Sequence, residues 1–170
     1  LGLKIGPCIT TDKPLRINLR QGLSGTSWGK LEEPEVLLRS AEKLKRDGAT
    51  AIAVVTRFPD DNKNLSTDLY REGKGVDVIA GAEAVISHLL VKELCIPCAH
   101  APALSPLSIN YELDPRAAGE EIGYTFLTSV LVGLSYAPDL IPVDKAQNNA
   151  IDLIKADDLG AIIAPDGALG

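Results

Sequence analysis

The side chains able to move a proton or hold an anion are few, and they cluster near the ends of apolar runs. His100 closes the segment Cys95-Ile96-Pro97-Cys98-Ala99-His100. Imidazole exchanges a proton near neutral pH, so His100 reads as an acid/base group or ligand contact at a strand end, or else as a structural histidine bridging loops. Arg57 leaves a second apolar run and is followed by Phe58, Pro59, Asp60 and Asp61. Its forked guanidinium suits a carboxylate or phosphate. Asp60 and Asp61 would then share the proton transfers with His100. The alternative for this stretch is an Arg–Asp ion pair that fixes the loop.

Two glycine-containing turns could offer backbone N–H groups to the same anion. Ser24, Gly25 and Thr26 supply hydroxyls and N–H groups in the first. In the second, Gly73-Lys74-Gly75, the glycines allow close backbone approach and Lys74 adds a positive charge. Neither turn has the GxxxxGK[ST] or GxGxxG spacing, and no GxSxG elbow occurs. Each is equally readable as a plain turn.

Cys95, Cys98 and His100 are zinc-ligand types, but a closed zinc site takes four ligands. The chain has three Cys and two His. In a strand, Cys98 and His100 would share one face and Cys95 the other. Cys as a small buried residue is the commoner outcome, so no metal site is expected. His88 falls in mid-helix off the apolar face and reads as solvated. No motif names a cofactor.

These groups must be positioned by regular elements. Residues 15–20 alternate apolar and polar side chains, the pattern of a strand with one wet face, and 22–29 read as a turn region. Pro34 opens a helix with Glu32, Glu33 and Glu35 at its electropositive end; Lys43, Lys45 and Arg46 close it, and Gly48 caps it. Residues 50–56 are β-branched and almost wholly apolar, which predicts a strand buried on both faces. A long polar segment covers 57–78. A helix is predicted over 81–93, a short strand over 95–99 and a Pro-rich loop over 101–113. Asp114-Pro115 predicts an N-cap and first helical residue, with the helix running to about residue 122. Residues 125–134 read as an apolar strand, 144–155 as a helix and 161–164 as a strand.

This alternation predicts an α/β fold: strand–helix units, a mainly parallel sheet and a Rossmann-like three-layer arrangement. Ligands of such sheets bind beyond the carboxyl ends of the strands, where the loops at Gly22, Arg57, His100, Ser135 and Pro165 would start. Length favours one domain over residues 1–170.

The 170 residues carry 17 Lys+Arg and 23 Asp+Glu, a net charge of -6. Phosphate backbones need clustered cations, so no nucleic-acid partner is expected. No apolar run reaches the roughly 18 residues of a membrane helix, so no membrane partner is expected either. Residues 1–57 hold 10 basic and 6 acidic side chains, net +4, and residues 58–170 hold 7 and 17, net -10; the two sum to -6. The basic part suits an anionic small molecule, and the asymmetry also suits a homo-oligomer or a protein partner. Three cysteines, two of them close together in a well-cored sequence, suggest a reducing compartment rather than a disulfide scaffold. The chain has no Met and begins at Leu1, which points to processing or truncation.

Several long runs occur in an order that resembles a known family. They are Arg57-Phe58-Pro59-Asp60-Asp61, GKGVDVIAGAEAVISH over 73–88, PCAHAPALSP over 97–106 and DPRAAGEEIGYTFLTSVLVGLSYAP over 114–138. Together they resemble an uncharacterised family of cyanobacteria and plastids, a domain of unknown function of the DUF3326 type. Its members are longer, with an additional N-terminal segment. The resemblance therefore implies that this chain is the C-terminal part of a longer protein of the cyanobacterial cytosol or chloroplast stroma. It brings no assigned catalytic residues.

Three functions follow as expectations. The first is a small-molecule enzyme or binding domain, with Arg57, Lys74, Ser24, Gly25, Thr26 and Gly75 holding an anionic metabolite and His100, Asp60 and Asp61 moving protons. The second is a non-catalytic assembly or regulatory subunit. The third is metal-dependent hydrolysis through His100, Cys98, Asp60 and Asp61.

Overall fold

The structure is a computed structural model that describes residues 2–22, 27–58, 67–75, 77, 79–103, 109–121, 126–146 and 153–163. The chain divides into two compact units, Leu1–Leu140 and Ile141–Gly170.

The first unit opens with an antiparallel pair, β1 (Ile17–Gln21) and β2 (Ser27–Leu31), in which Ile17 faces Leu31 and Gln21 faces Ser27. Ile17 and Leu19 are half-buried while Asn18 and Arg20 are exposed, as the period of two requires. The cross-strand neighbour of Arg20 is Trp28, and the guanidinium lies 5.1 Å from the ring centroid. Such an exposed cation–π contact contributes about 0.5–1 kcal/mol. The strand corrects the expectation of an extended turn, because Ser27, Trp28 and Gly29 belong to β2.

Helix α1 (Pro34–Arg46) follows as expected, with Pro in its first turn, Glu35 at the start and Lys43, Lys45 and Arg46 at the end. Its buried stripe is Val36, Leu37 and Ala41. Gly48 takes φ 96°, a conformation that a side chain resists, and its N–H donates to the Lys45 carbonyl at 3.0 Å.

Strand β3 (Ile52–Thr56) lies parallel to β4 (Cys98–Pro102), with Ile52 opposite Cys98 and Val54 opposite His100. Between them come α2 (Thr67–Arg71) and α3 (Ala80–Leu94). Helix α3 packs on β2, β1 and β4. Its Ile86 and Leu90 are fully buried among Leu31, Leu37, Ile52 and Phe58. Burying each such aliphatic side chain stabilises the fold by about 1.5–3 kcal/mol. The N-terminal turn of α3 crosses β2 at Gly29 and Gly81. A Cβ at Gly29 would lie 2.6 Å from the Ala82 Cβ, and one at Gly81 would overlap the Ser27 carbonyl and the Trp28 Cα. Polar bonds fix the crossing: Ser27 Oγ donates to the Asp77 carbonyl at 2.8 Å, and the Gly81 N–H donates to Ser27 Oγ at 3.3 Å. Ser27 is therefore a structural tie.

Helix α4 (Pro115–Glu121) starts where Asp114-Pro115 predicts. Asp114 Oδ1 accepts from the Arg116 N–H at 2.9 Å, and its carbonyl accepts from the Ala118 N–H at 2.8 Å. The hydrogen bond from the Arg116 backbone, helped by its guanidinium, holds the Asp114 carboxyl below the usual carboxylate range. Helix α5 (Phe126–Ser135) lies against β3 and β4 and replaces the strand expected over 125–134. Thr128, Val130, Leu131 and Leu134 are half-buried while Leu127, Val132 and Gly133 are exposed, a spacing of three and four. The run is apolar almost throughout, which hid that phase.

In the second unit, 3₁₀ turns occur at Val143–Lys145 and Ala156–Asp158. The first takes the place of the start of the helix expected over 144–155, whose middle, 147–152, lies outside the described residues; residues 153–155 form no helix, and the second turn follows the expected end. Val143 and Ile154 are almost fully exposed, so an apolar helical face would gain no packing here. Residues 161–163 form no strand, and residue 164 lies outside the described residues.

The fold therefore mixes helices with two small sheets, one antiparallel and one parallel. Of the mainly parallel sheet expected, the described residues show the parallel pair β3–β4, while β1 and β2 form their own antiparallel pair.

Candidate functional site

His100 sits at the centre of β4 rather than at a strand end, because the strand starts at Cys98 and not at residue 95. Cys95 instead caps α3 in the left-handed conformation, φ 52°. The alternation of β4 puts Cys98 and His100 on one face, as expected. That face meets α3. Glu83 and Ser87 lie four residues apart, one turn along this helix, so both reach the same ring. Ser87 Oγ is 2.6 Å from His100 Nδ1, and Glu83 Oε2 is 3.5 Å from His100 Nε2.

With the ring proton on Nε2, the Ser87 hydroxyl donates to Nδ1 and the Nε2–H points its charge at Glu83. In the order hydroxyl, imidazole, carboxylate, the ring is held from both sides. Glu83 is buried at 9% exposure, and its Oε1 is buried with no hydrogen-bond partner among the described residues. An acceptor oxygen is thus held in an apolar setting, where an unmade bond is costly. Burying a carboxylate on a helix face otherwise lined by Ala82, Ile86 and Leu90 makes sense only if a partner meets it. The sequence signal was available: Glu83 falls within the apolar stripe of α3, and Ser87 follows at i+4. Neither residue was singled out.

The other candidate residues are distributed as follows. Arg57 is exposed directly after β3. Lys74 is exposed and its Nζ lies 3.1 Å from Glu72 Oε2, between two glycines with φ 78° and 77°. Gly75 has open space around its Cα, which leaves room for close approach. The structure brings His100 together with Glu83 and Ser87, and records no contact of His100 with Lys74. Ser24, Gly25, Thr26, Asp60 and Asp61 lie outside the described residues. Burial pushes the Cys98 thiol up to about 11, against a smaller opposing effect of the Ile52 backbone. A thiol held in that form is a poor metal ligand. Among the described residues, no group of three or more His, Cys, Asp or Glu side chains could hold a metal ion. Cys8, Cys95 and Cys98 are all free, and His88 is exposed.

A cavity of about 400 Å³ opens elsewhere, beside Lys45, Thr50, Cys95, Pro97 and Asp139, where the chain enters β3 and β4. His100, Glu83 and Ser87 do not line it. Lys45 spans its edge, donating from Nζ to the Leu94 carbonyl at 2.5 Å. His100, Glu83 and Ser87 form a part-buried cluster apart from this cavity, whereas the ion pairs of Asp12 with Arg39 and of Glu72 with Lys74 are exposed.

The chain belongs to the family described as "Protein of unknown function (DUF3326)", whose family model matches residues 1–170. An uncharacterized lipoprotein of Synechococcus sp. (strain ATCC 27144 / PCC 6301 / SAUG 1402/1) is 48% identical over 170 residues, which is 100% of this chain and 46% of that protein. The chain thus spans just under half the length of that cyanobacterial relative. No solved structure matches it. Among the described residues, no helix is long and apolar enough to cross a membrane.

Proposed function

We propose that this domain binds an anionic small molecule and moves a proton on it through His100. The observation that carries the reading is the contact of both ring nitrogens, Nδ1 with the Ser87 hydroxyl and Nε2 with the Glu83 carboxylate. Glu83 orients the imidazole, and Ser87 either passes a proton to it or aligns it. Arg57, Lys74, Gly75 and the turn of Ser24, Gly25 and Thr26 supply the anion-binding groups, and Asp60 or Asp61 a second base. A Rossmann-like three-layer arrangement belongs to the same proposal. Its support is that α3 lies against β4, with α1 packed on α3, while α5 lies against both β3 and β4.

The test is a thermal-shift screen of anionic metabolites on the wild type, Arg57→Ala and His100→Gln. A binding metabolite is expected to raise the wild-type Tm, to lose its effect in Arg57→Ala, and to be bound but not turned over by His100→Gln. Equal shifts in the wild type and Arg57→Ala would overturn the anion-binding assignment. A second reading, a non-catalytic assembly or regulatory subunit, draws support from Ile109 and Tyr111, exposed by 82% and 92% ahead of α4. It is favoured if no metabolite shifts any form and a stoichiometric partner is recovered.

For location we propose an aqueous compartment, the cyanobacterial cytosol or the chloroplast stroma. Three free cysteines support a reducing environment. A lipid-anchored location, carried over from the printed name of the Synechococcus relative, is the competing reading.

A further inference from the structure

The parallel pair β3–β4 leaves two edges, and they differ. The Ile52 N–H donates to the Pro97 carbonyl at 3.0 Å, and the Ala103 N–H donates to the Thr56 carbonyl at 2.9 Å. In a parallel ladder the bonding residues alternate along each strand. Ile52, Val54 and Thr56 therefore turn their backbone groups toward β4, and Ala53 and Val55 turn theirs away. On β4, Cys98, His100 and Pro102 face outward by the same alternation. Among the described residues, no strand pairs with either outer edge.

Pro102 has no N–H to offer, and proline guards edges against further pairing. The β3 edge has neither proline nor charge. It presents Ala53 and the β-branched Val55, whose side chain is apolar yet 51% exposed. Parallel sheets are normally covered on both faces, and a two-stranded sheet is marginal alone. More than half of the Synechococcus relative lies outside the region this chain matches.

We propose that the outer edge of β3 receives a further strand, supplied by the part of a relative-length polypeptide that lies outside residues 1–170. The recognition is main-chain pairing to Ala53 and Val55, with an apolar side chain from the incoming strand covering Val55. This inference is independent of the chemistry assigned to His100.

The experiment is NMR on the protein expressed from its complete coding sequence. The amides of Ala53 and Val55 are expected to exchange at least ~100-fold more slowly than unprotected amides. Cross-strand NOEs should connect them to residues outside the 170, in a particle that sediments as a monomer. Unprotected amides at both positions overturn the proposal. NOEs to residues within the 170 overturn it as well, and so does protection that appears only with dimerisation, which would assign the edge to a second copy.

Discussion

At the scale of single residues, environment decides which side chains can react. Cys98 and Cys95 are three positions apart and have opposite characters. Cys95 is exposed at the end of α3, whereas Cys98 lies half-buried on the β4 face that meets α3, its thiol shifted from 9.0 up to about 11. At pH 9 that shift lowers the thiolate fraction from half to about 1%. Alkylation by iodoacetamide at pH 8.5 should therefore modify Cys8 and Cys95 first, with Cys98 far behind, as read by mass spectrometry of tryptic peptides. Labelling of Cys98 at the rate of the other two would contradict its burial. The linkage has a definite sign. The native state keeps a proton on Cys98 that the unfolded chain gives up near pH 9, so native stability falls as pH rises from about 9 toward 11.

The same scale shows what residue types could and could not reveal. His100 was legible because imidazole is rare in this chain. Glu83 and Ser87 were not, because carboxylates and hydroxyls are common and only burial against the ring gives these two a role. Arg57 and Lys74 were legible as charges, but their direction depends on loops whose course no local propensity sets.

At the scale of elements, steric fit matters more than sequence preference. The β2–α3 crossing relies on two glycines that approach backbone and Ala82 more closely than any Cβ permits. Gly29→Ala should destabilise the protein by about 1–3 kcal/mol, the usual cost of overpacking a close contact. Denaturant unfolding measures it; an unchanged midpoint would mean that the crossing is looser than its geometry. The helices α1 and α4 were readable from Pro34 with its flanking charges and from Asp114-Pro115, and α3 from its length and the helical spacing of Ala82, Val85, Ile86, Leu89 and Leu90. Helix α5 was not, because a uniformly apolar, partly β-branched run suits a buried strand as well as a helix. Strand β2 was not, because Ser27-Trp28-Gly29 has turn chemistry, and its strand state is imposed by cross-strand partners and by α3.

At the scale of the whole molecule, composition was informative about class and silent about assembly. Alternating elements indicated a mixture of helix and strand, but pairing between strands is non-local, so nothing in the sequence separated β1–β2 from β3–β4. Net charge and apolar runs bear on location, and there the full-length protein gives the answer. If the aqueous proposal holds, the protein partitions into the water-rich phase in a detergent phase-separation assay; recovery in the detergent phase would instead favour the lipid-anchored reading.

The glycine contact between β2 and α3 also has a mechanical consequence. Ala82, the residue that Gly29 presses against, immediately precedes Glu83, and Ser87 follows little more than one turn later. Since the joint has no slack, the β1–β2 ribbon and the first turn of α3 hold one register, and the helix that carries Glu83 and Ser87 is anchored at that end. The N-terminal ribbon is in this sense the abutment against which the acid and the hydroxyl are set.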